Sequence, residues 1–147
     1  MNRGQLAVIA ARRWIGTPYH HQGSVRGVGA DCLGLIRGVF AEVCGRTLEP
    51  PAPYSESWAE VSHTEKLFDA AKTTLLQKQS DLLEPGDVLL FRMSEAGVCK
   101  HLGIVAQAGA RASFIHAYSR HGVLESSLSQ PWRRRVAAIF TFPERIV

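Results

Sequence analysis

The chain has 147 residues, 46% of them apolar and 20% charged, with a formal net charge of +4. That length holds one domain, expected to span residues 1–147, and no apolar run approaches the roughly 18 residues that cross a bilayer, so membrane insertion is excluded from the reading. Three scattered cysteines without a CxxC pair argue against a disulfide framework and a zinc knuckle, and the positive charge is only a weak pointer to anionic partners.

Asn2 can cap a first helix in which Leu6, Ile9, Ala10 and Trp14 recur at helical spacing, with Gly16 and Pro18 closing it. The run Leu6–Ala11 is closed by Arg12-Arg13 and lacks a cleavage site, so the chain is expected to be made in the cytoplasm without a signal peptide. A small-residue loop through Gly27, Gly29 and Ala30 leads to Asp31 and is expected to let a ligand approach the Cys32 sulfur. A second helix is expected over residues 32–43, with Leu35, Ile36, Val39, Phe40 and Val43 on its buried side and Gly45 as its stop. Pro50-Pro51-Ala52-Pro53 should lie extended, and Ser62 to Glu65 has the capping-box spacing of a third helix with Leu67, Ala71 and Leu75 as its stripe.

From Glu84-Pro85-Gly86-Asp87 onward the period changes to that of strands. Strands are expected at Val88–Met93, His101–Gln107, Ala112–Tyr118, Val123–Ser126 and Arg135–Phe142, the last with Val136, Ala138, Phe140 and Phe142 on one face. Trp132-Arg133-Arg134-Arg135, the one tight basic cluster, reads as a solvated strand edge or loop rather than a nucleic-acid patch. Helices followed by an antiparallel meander make an α+β layout.

The informative stretch is Asp31-Cys32-Leu33-Gly34-Leu35-Ile36. It sets a thiol at the first turn of a helix capped by Asp31, where unpaired N–H groups and the helix dipole favour a thiolate. A cysteine nucleophile needs a base, and the base needs an orienting group. A two-residue Gly109-Ala110 turn would pair His101 with Tyr118 and Gly103 with His116. His101 and His116 would then be diagonal neighbours on one face, roughly 7–8 Å apart at the backbone. Gly103 on that face would admit the Cys32 helix, and an imidazolium at His101 would lower the thiol pKa. Cys44 and Cys99 read as core. His20, His21, His63 and His121 read as surface or loop residues. A Cys32/His20/His101 zinc site matches no common spacing, and no metal or organic cofactor is expected. Gly27-Val28-Gly29 lacks the strand of a dinucleotide fingerprint, and Ala30–Gly34 lacks the parallel sheet of a nucleophile elbow.

Five segments, Gly16-Thr17-Pro18-Tyr19, Asp31–Leu35, Pro85–Leu89, His101–Val105 and His116-Ala117, occur in this order. Together they resemble the NlpC family of papain-like murein endopeptidases. The resemblance covers residues 14–142, and the run from Gly16 to Gly34 is most similar to the branch encoded with tail genes of phages and gene transfer agents. It implies a papain-like fold with the cysteine helix on an antiparallel sheet. It further implies cleavage of peptidoglycan stem peptides, commonly between γ-D-glutamate and diaminopimelate. On it, Cys32 is the nucleophile, His101 the base, His116 the third polar member, and Tyr19 helps hold substrate or oxyanion beside Asp31-Cys32, whose Cys32 N–H is an oxyanion donor. Leu33 and Lys100 stand where many members have serine. A structural tail-assembly component and a thiol amidase or acyltransferase are the alternatives on the same scaffold.

Overall fold

The structure, a computed structural model, describes residues 1–49, 66–93, 97 and 99–144. Helix α1 (Arg3–Arg13) begins on a full capping box: Asn2 accepts from Gln5 N–H while the Gln5 side chain accepts from Asn2 N–H. A short hairpin, β1 (Ser24–Val25) and β2 (Gly29–Ala30), precedes α2 (Cys32–Cys44). Helix α3 (Lys66–Thr74) buries Leu67 and Ala71, with Leu75 just beyond it. The capping box expected at Ser62–Glu65 and the extended Pro50–Pro53 lie outside the described residues.

One six-stranded antiparallel sheet carries the rest. Strands β4 (Val88–Arg92), β5 (Cys99–Gln107), β6 (Ser113–Tyr118) and β7 (Gly122–Ser127) form the expected meander. The last strand, β8 (Val136–Thr141), does not extend it. It returns to the other side of β4, and a two-residue strand not expected from the sequence, β3 (Leu76–Gln77), lies outside it. Between β7 and β8, Gln130–Arg133 forms a single helical turn, α4. Trp132 and Arg133 are therefore helical, not strand edge.

The sheet has two covered faces. Leu90, Leu102, Ile104, Ile115 and Phe140 pack with α1, α2 and α3 in the larger core. Leu89, Phe91, Val105, Phe114 and Ile139 form a smaller core on the opposite face, against which Trp132 packs. A bulge against Leu90–Phe91 moves Val136 to this second face, so it does not share the face of Ala138 and Phe140 as the alternation suggested.

Close approaches hold the helices in place. A Cβ at Gly38 would enter the ring of Trp14, so only glycine lets α1 and α2 meet there. The Pro85-Gly86 turn lies against Gly4, and Lys78 bonds Asp87 at 2.8 Å and Glu84 at 3.1 Å, pinning the entry to β4.

Candidate active site

Asp31 is buried and caps α2: its Oδ1 accepts from Gly34 N–H at 2.8 Å and its Oδ2 from Gln22 N–H at 2.8 Å. One carboxylate thus fixes both the helix start and the loop before it. Gly34 completes the joint, because a Cβ there would fall on the Gly23 carbonyl. Gly29 and Ala30 are packed rather than open. A Cβ at Gly29 would lie 2.6 Å from His20 Cβ, and Ala30 is fully buried. Of the small residues expected to let a ligand approach the sulfur, Gly29 and Ala30 instead let the loop fold back on itself, while Gly27 stays open.

The Gly16–His20 segment ties this loop to the sheet. Gly16 N–H donates to Val123 O and Val123 N–H to Thr17 O, both at 2.9 Å. Ala30 N–H donates to Pro18 O at 3.0 Å and His20 N–H to Ala30 O at 3.1 Å. Tyr19, half-buried and bridged to Ala30, is thereby held beside the start of α2.

His101 and His116 meet as expected, but by a different route. The connection between β5 and β6 spans residues 108–112, and the first pair, Gln107↔Ser113, is one residue out of the expected register. A bulge at Ala106 restores it, giving Val105↔Phe114 and Ile104↔Ile115. His101 Nε2 lies 2.8 Å from His116 Nδ1, and His116 Nε2 lies 2.8 Å from Ser126 Oγ. Ser126 was not singled out from the sequence. Its only signal was the alternation of β7, which sets it on the face of Phe114 and His116.

The histidines lie on the face away from the helices. His101 is ringed by Phe91, Tyr118 and Trp132, and His116 by Phe114, Tyr118 and Trp132. Gly103 is filled from that side by Phe114, 2.7 Å from where its Cβ would stand. The idea that α2 packs on Gly103 is thus overturned; α2 packs on the Leu102 and Ile104 face.

What joins the two faces is an opening in the sheet. Val105 exchanges its backbone bonds with Gly86 and Asp87 on the β4 side, so the alternate residues Leu102 and Ile104 direct theirs toward β6. The β5–β6 ladder ends at Ile104↔Ile115, while β6 stays paired with β7 to Tyr118↔Gly122. At Leu102, where β6 has parted from β5, the Cys32 sulfur takes the backbone N–H instead. The thiol thus faces the backbone N–H of Leu102, the residue that follows His101 in β5.

Burial dominates the electrostatics. It pushes the Cys32 thiol up to about 12, with the Asp31 carboxylate adding to the rise and the N–H groups of Leu102, Leu33 and Cys32 opposing it. It pushes His101 down to about 3, assisted by His116, and His116 down to about 4, assisted by His121. Although the Cys32 side chain is only half-buried, desolvation favours the neutral thiol and the neutral imidazole and so opposes the helix-start effect.

The other candidates are dispersed. Cys44 and Cys99 are buried in the larger core, the Cys44 sulfur 3.4 Å from Pro143 O. His20 and His121 are exposed, His21 and Lys100 half-buried. His63 lies outside the described residues. Among the described residues no three His, Cys, Asp or Glu side chains gather to hold a metal ion.

The profile of the NlpC/P60 family matches residues 16–141, which takes in every segment of this site. The chain belongs to the NlpC/P60 family. It is 32% identical over 136 residues to the gamma-DL-glutamyl hydrolase of Bacillus subtilis, covering 92% of this chain and 28% of that protein. It is 30% identical over 123 residues to the murein DD-endopeptidase MepS/murein LD-carboxypeptidase of Escherichia coli, covering 83% of this chain and 54% of that protein. The chain thus spans about half or less of the length of these relatives. Among solved structures, the NlpC/p60 domain of the peptidoglycan hydrolase SagA superposes with a TM-score of 0.66 at 22% identity, covering 97% of this chain and all of that one. An NLP/P60 protein from Staphylococcus aureus gives 0.65 at 18% identity, over 97% of this chain and 42% of that one. These superpositions establish the α+β, papain-like fold for this NlpC/P60 chain.

Proposed function

We propose that this NlpC/P60 protein is a cysteine peptidase that hydrolyses peptidoglycan stem peptides, with the γ-D-glutamyl–diaminopimelate bond as its target. One observation carries the reading: the Cys32 sulfur faces the Leu102 N–H beyond the end of the β5–β6 ladder, and the residue before Leu102 is His101, whose ring is held by a second histidine. The glutamyl-hydrolase and murein-endopeptidase names of its relatives support the substrate class.

With desolvation favouring the neutral forms, His101 takes the thiol proton as sulfur attacks the scissile carbonyl. The C–S bond forms, the carbonyl π electrons move to oxygen, and N–H groups at the start of α2, that of Cys32 foremost, receive the oxyanion. Collapse expels the amine, which takes the proton back from His101, and a thioester remains. Water, deprotonated by His101, then releases the acid and the thiol. Tyr19 borders the substrate, and Asp31 acts by holding the helix start. All 147 residues serve as one domain.

The run from Gly16 to Gly34 supports placing the protein with the tail-associated branch of phages and gene transfer agents. On this reading it is made in the cytoplasm and reaches the wall with a particle. Mass spectrometry of purified muropeptides incubated with wild type and Cys32→Ala tests the activity. Cleaved stems from wild type alone support it and identify the bond. Intact muropeptides from both would turn the reading toward another acyl substrate or a structural tail component.

A further inference from the structure

His101 and His116 are 7% and 1% exposed, so solvent reaches the pair only at the edge of His101. Its hydrogen-bond chain ends at one half-exposed hydroxyl, Ser126 Oγ, 2.8 Å from His116 Nε2. Each ring, when neutral, carries one proton, and the single contact between the rings accepts only one of two arrangements. If Ser126 donates to His116 Nε2, then His116 Nδ1–H donates to His101 Nε2, and the His101 proton sits on Nδ1. That form has no basic nitrogen left for the thiol. If Ser126 accepts from His116 Nε2–H, then His101 Nε2–H donates to His116 Nδ1 and His101 Nδ1 is a bare base.

We propose that Ser126 is a positioning residue that accepts from His116 Nε2–H, and through it selects the base-competent tautomer of His101; the inference rests on the peptidase reading and deepens it. The half-exposed setting fits this role, because the hydroxyl proton can turn to solvent while the oxygen accepts. The register also fits. Ser126 pairs with Phe114, diagonal to His116, whereas Leu124 directly opposite His116 has no polar group to offer. When His101 gains the thiol proton, both N–H dipoles of the chain already point away from it toward Ser126, which stabilises the new cation.

The test is a long-range proton–nitrogen NMR spectrum of the full chain labelled with ¹⁵N-histidine at neutral pH, assigned with His116→Gln. Wild type is expected to show both His101 and His116 protonated at Nε2. Ser126→Ala should mix the tautomers of both rings, lower kcat on muropeptides on the order of tenfold at unchanged KM, and shift the acid limb of the kcat/KM profile. Ser126→Thr should restore all three. Protonation of His116 at Nδ1 in wild type, or ring shifts indifferent to Ser126→Ala, would overturn the proposal. The wild-type spectrum needs neither a foldable variant nor turnover, so a failure to cleave muropeptides would count against the peptidase reading alone.

Discussion

His101 and His116 share a face of the sheet because Ala106 is an extra residue in β5. Carried on without the bulge, the Gln107↔Ser113 register would set His116 opposite Ile104, and His101 would point to the helix side. The catalytic proposal thus hangs on a backbone irregularity, and His116 is its most direct probe. Replacing His116 with Ala should lower kcat by about a hundredfold or more with little change in KM. Steady-state kinetics on a muropeptide check this, and an unchanged kcat would remove His116 from the relay.

Desolvation of Cys32 and His101 predicts how Cys32 reacts without substrate. Alkylation by iodoacetamide should rise with pH toward about 12, and should not level off near neutrality as it would for a preformed thiolate–imidazolium pair. Cys44 and Cys99, buried in the core, should label more slowly, and Cys44→Ser and Cys99→Ser should retain turnover. Peptide mapping after timed labelling across pH reads both effects.

Asp31→Asn separates two roles of one carboxylate. It removes the charge that raises the Cys32 pKa while keeping an oxygen for Gly34 N–H, so the alkylation profile should move to lower pH. Its new amide group would face Gln22 N–H, donor against donor, so the melting temperature should fall. An unmoved alkylation profile would show that the Asp31 charge does not reach the sulfur.

Stability should depend on pH through the two buried histidines. Their folded pKa values, about 3 and about 4, lie below the unfolded value near 6.5. The unfolded chain therefore takes up protons first as pH falls. The contribution is complete above about pH 6.5 and is lost progressively toward pH 3. Urea unfolding of wild type and of His101→Gln/His116→Gln should converge as pH drops through that window. Parallel curves would contradict the burial assigned to the pair.

Two glycines distinguish support of the site from support of the fold. Gly34→Ala would push the Gly23 carbonyl off the first turn of α2, and Gly38→Ala would push Trp14 out of the α1–α2 contact. Both should cost about 1–3 kcal/mol in denaturant unfolding. Only Gly34→Ala should also lower kcat, because only it moves the loop that Asp31 fastens to the nucleophile.

The chain by itself determined what local chemistry decides. Asn2, Asp31 and Gly45 cap helices through atoms within three or four residues, so those boundaries were legible. The strand-type runs of β4 to β7 between their turns and the order of the short motifs were legible for the same reason, and they carried the fold class and the Cys32, His101 and His116 set. Only the tertiary structure decided how these residues meet. The expected Gly109-Ala110 turn is replaced by a longer loop, and the pairing of the histidines survives because the bulge at Ala106 offsets that change. Which face α2 covers, where β5 and β6 part at Leu102, and why Ser126 ends the relay all depend on contacts between residues far apart in the chain. The ionisation of the site belongs to the same class, because desolvation is set by everything packed around Cys32 and His101, and it outweighs the helix-start effect that the local sequence made visible.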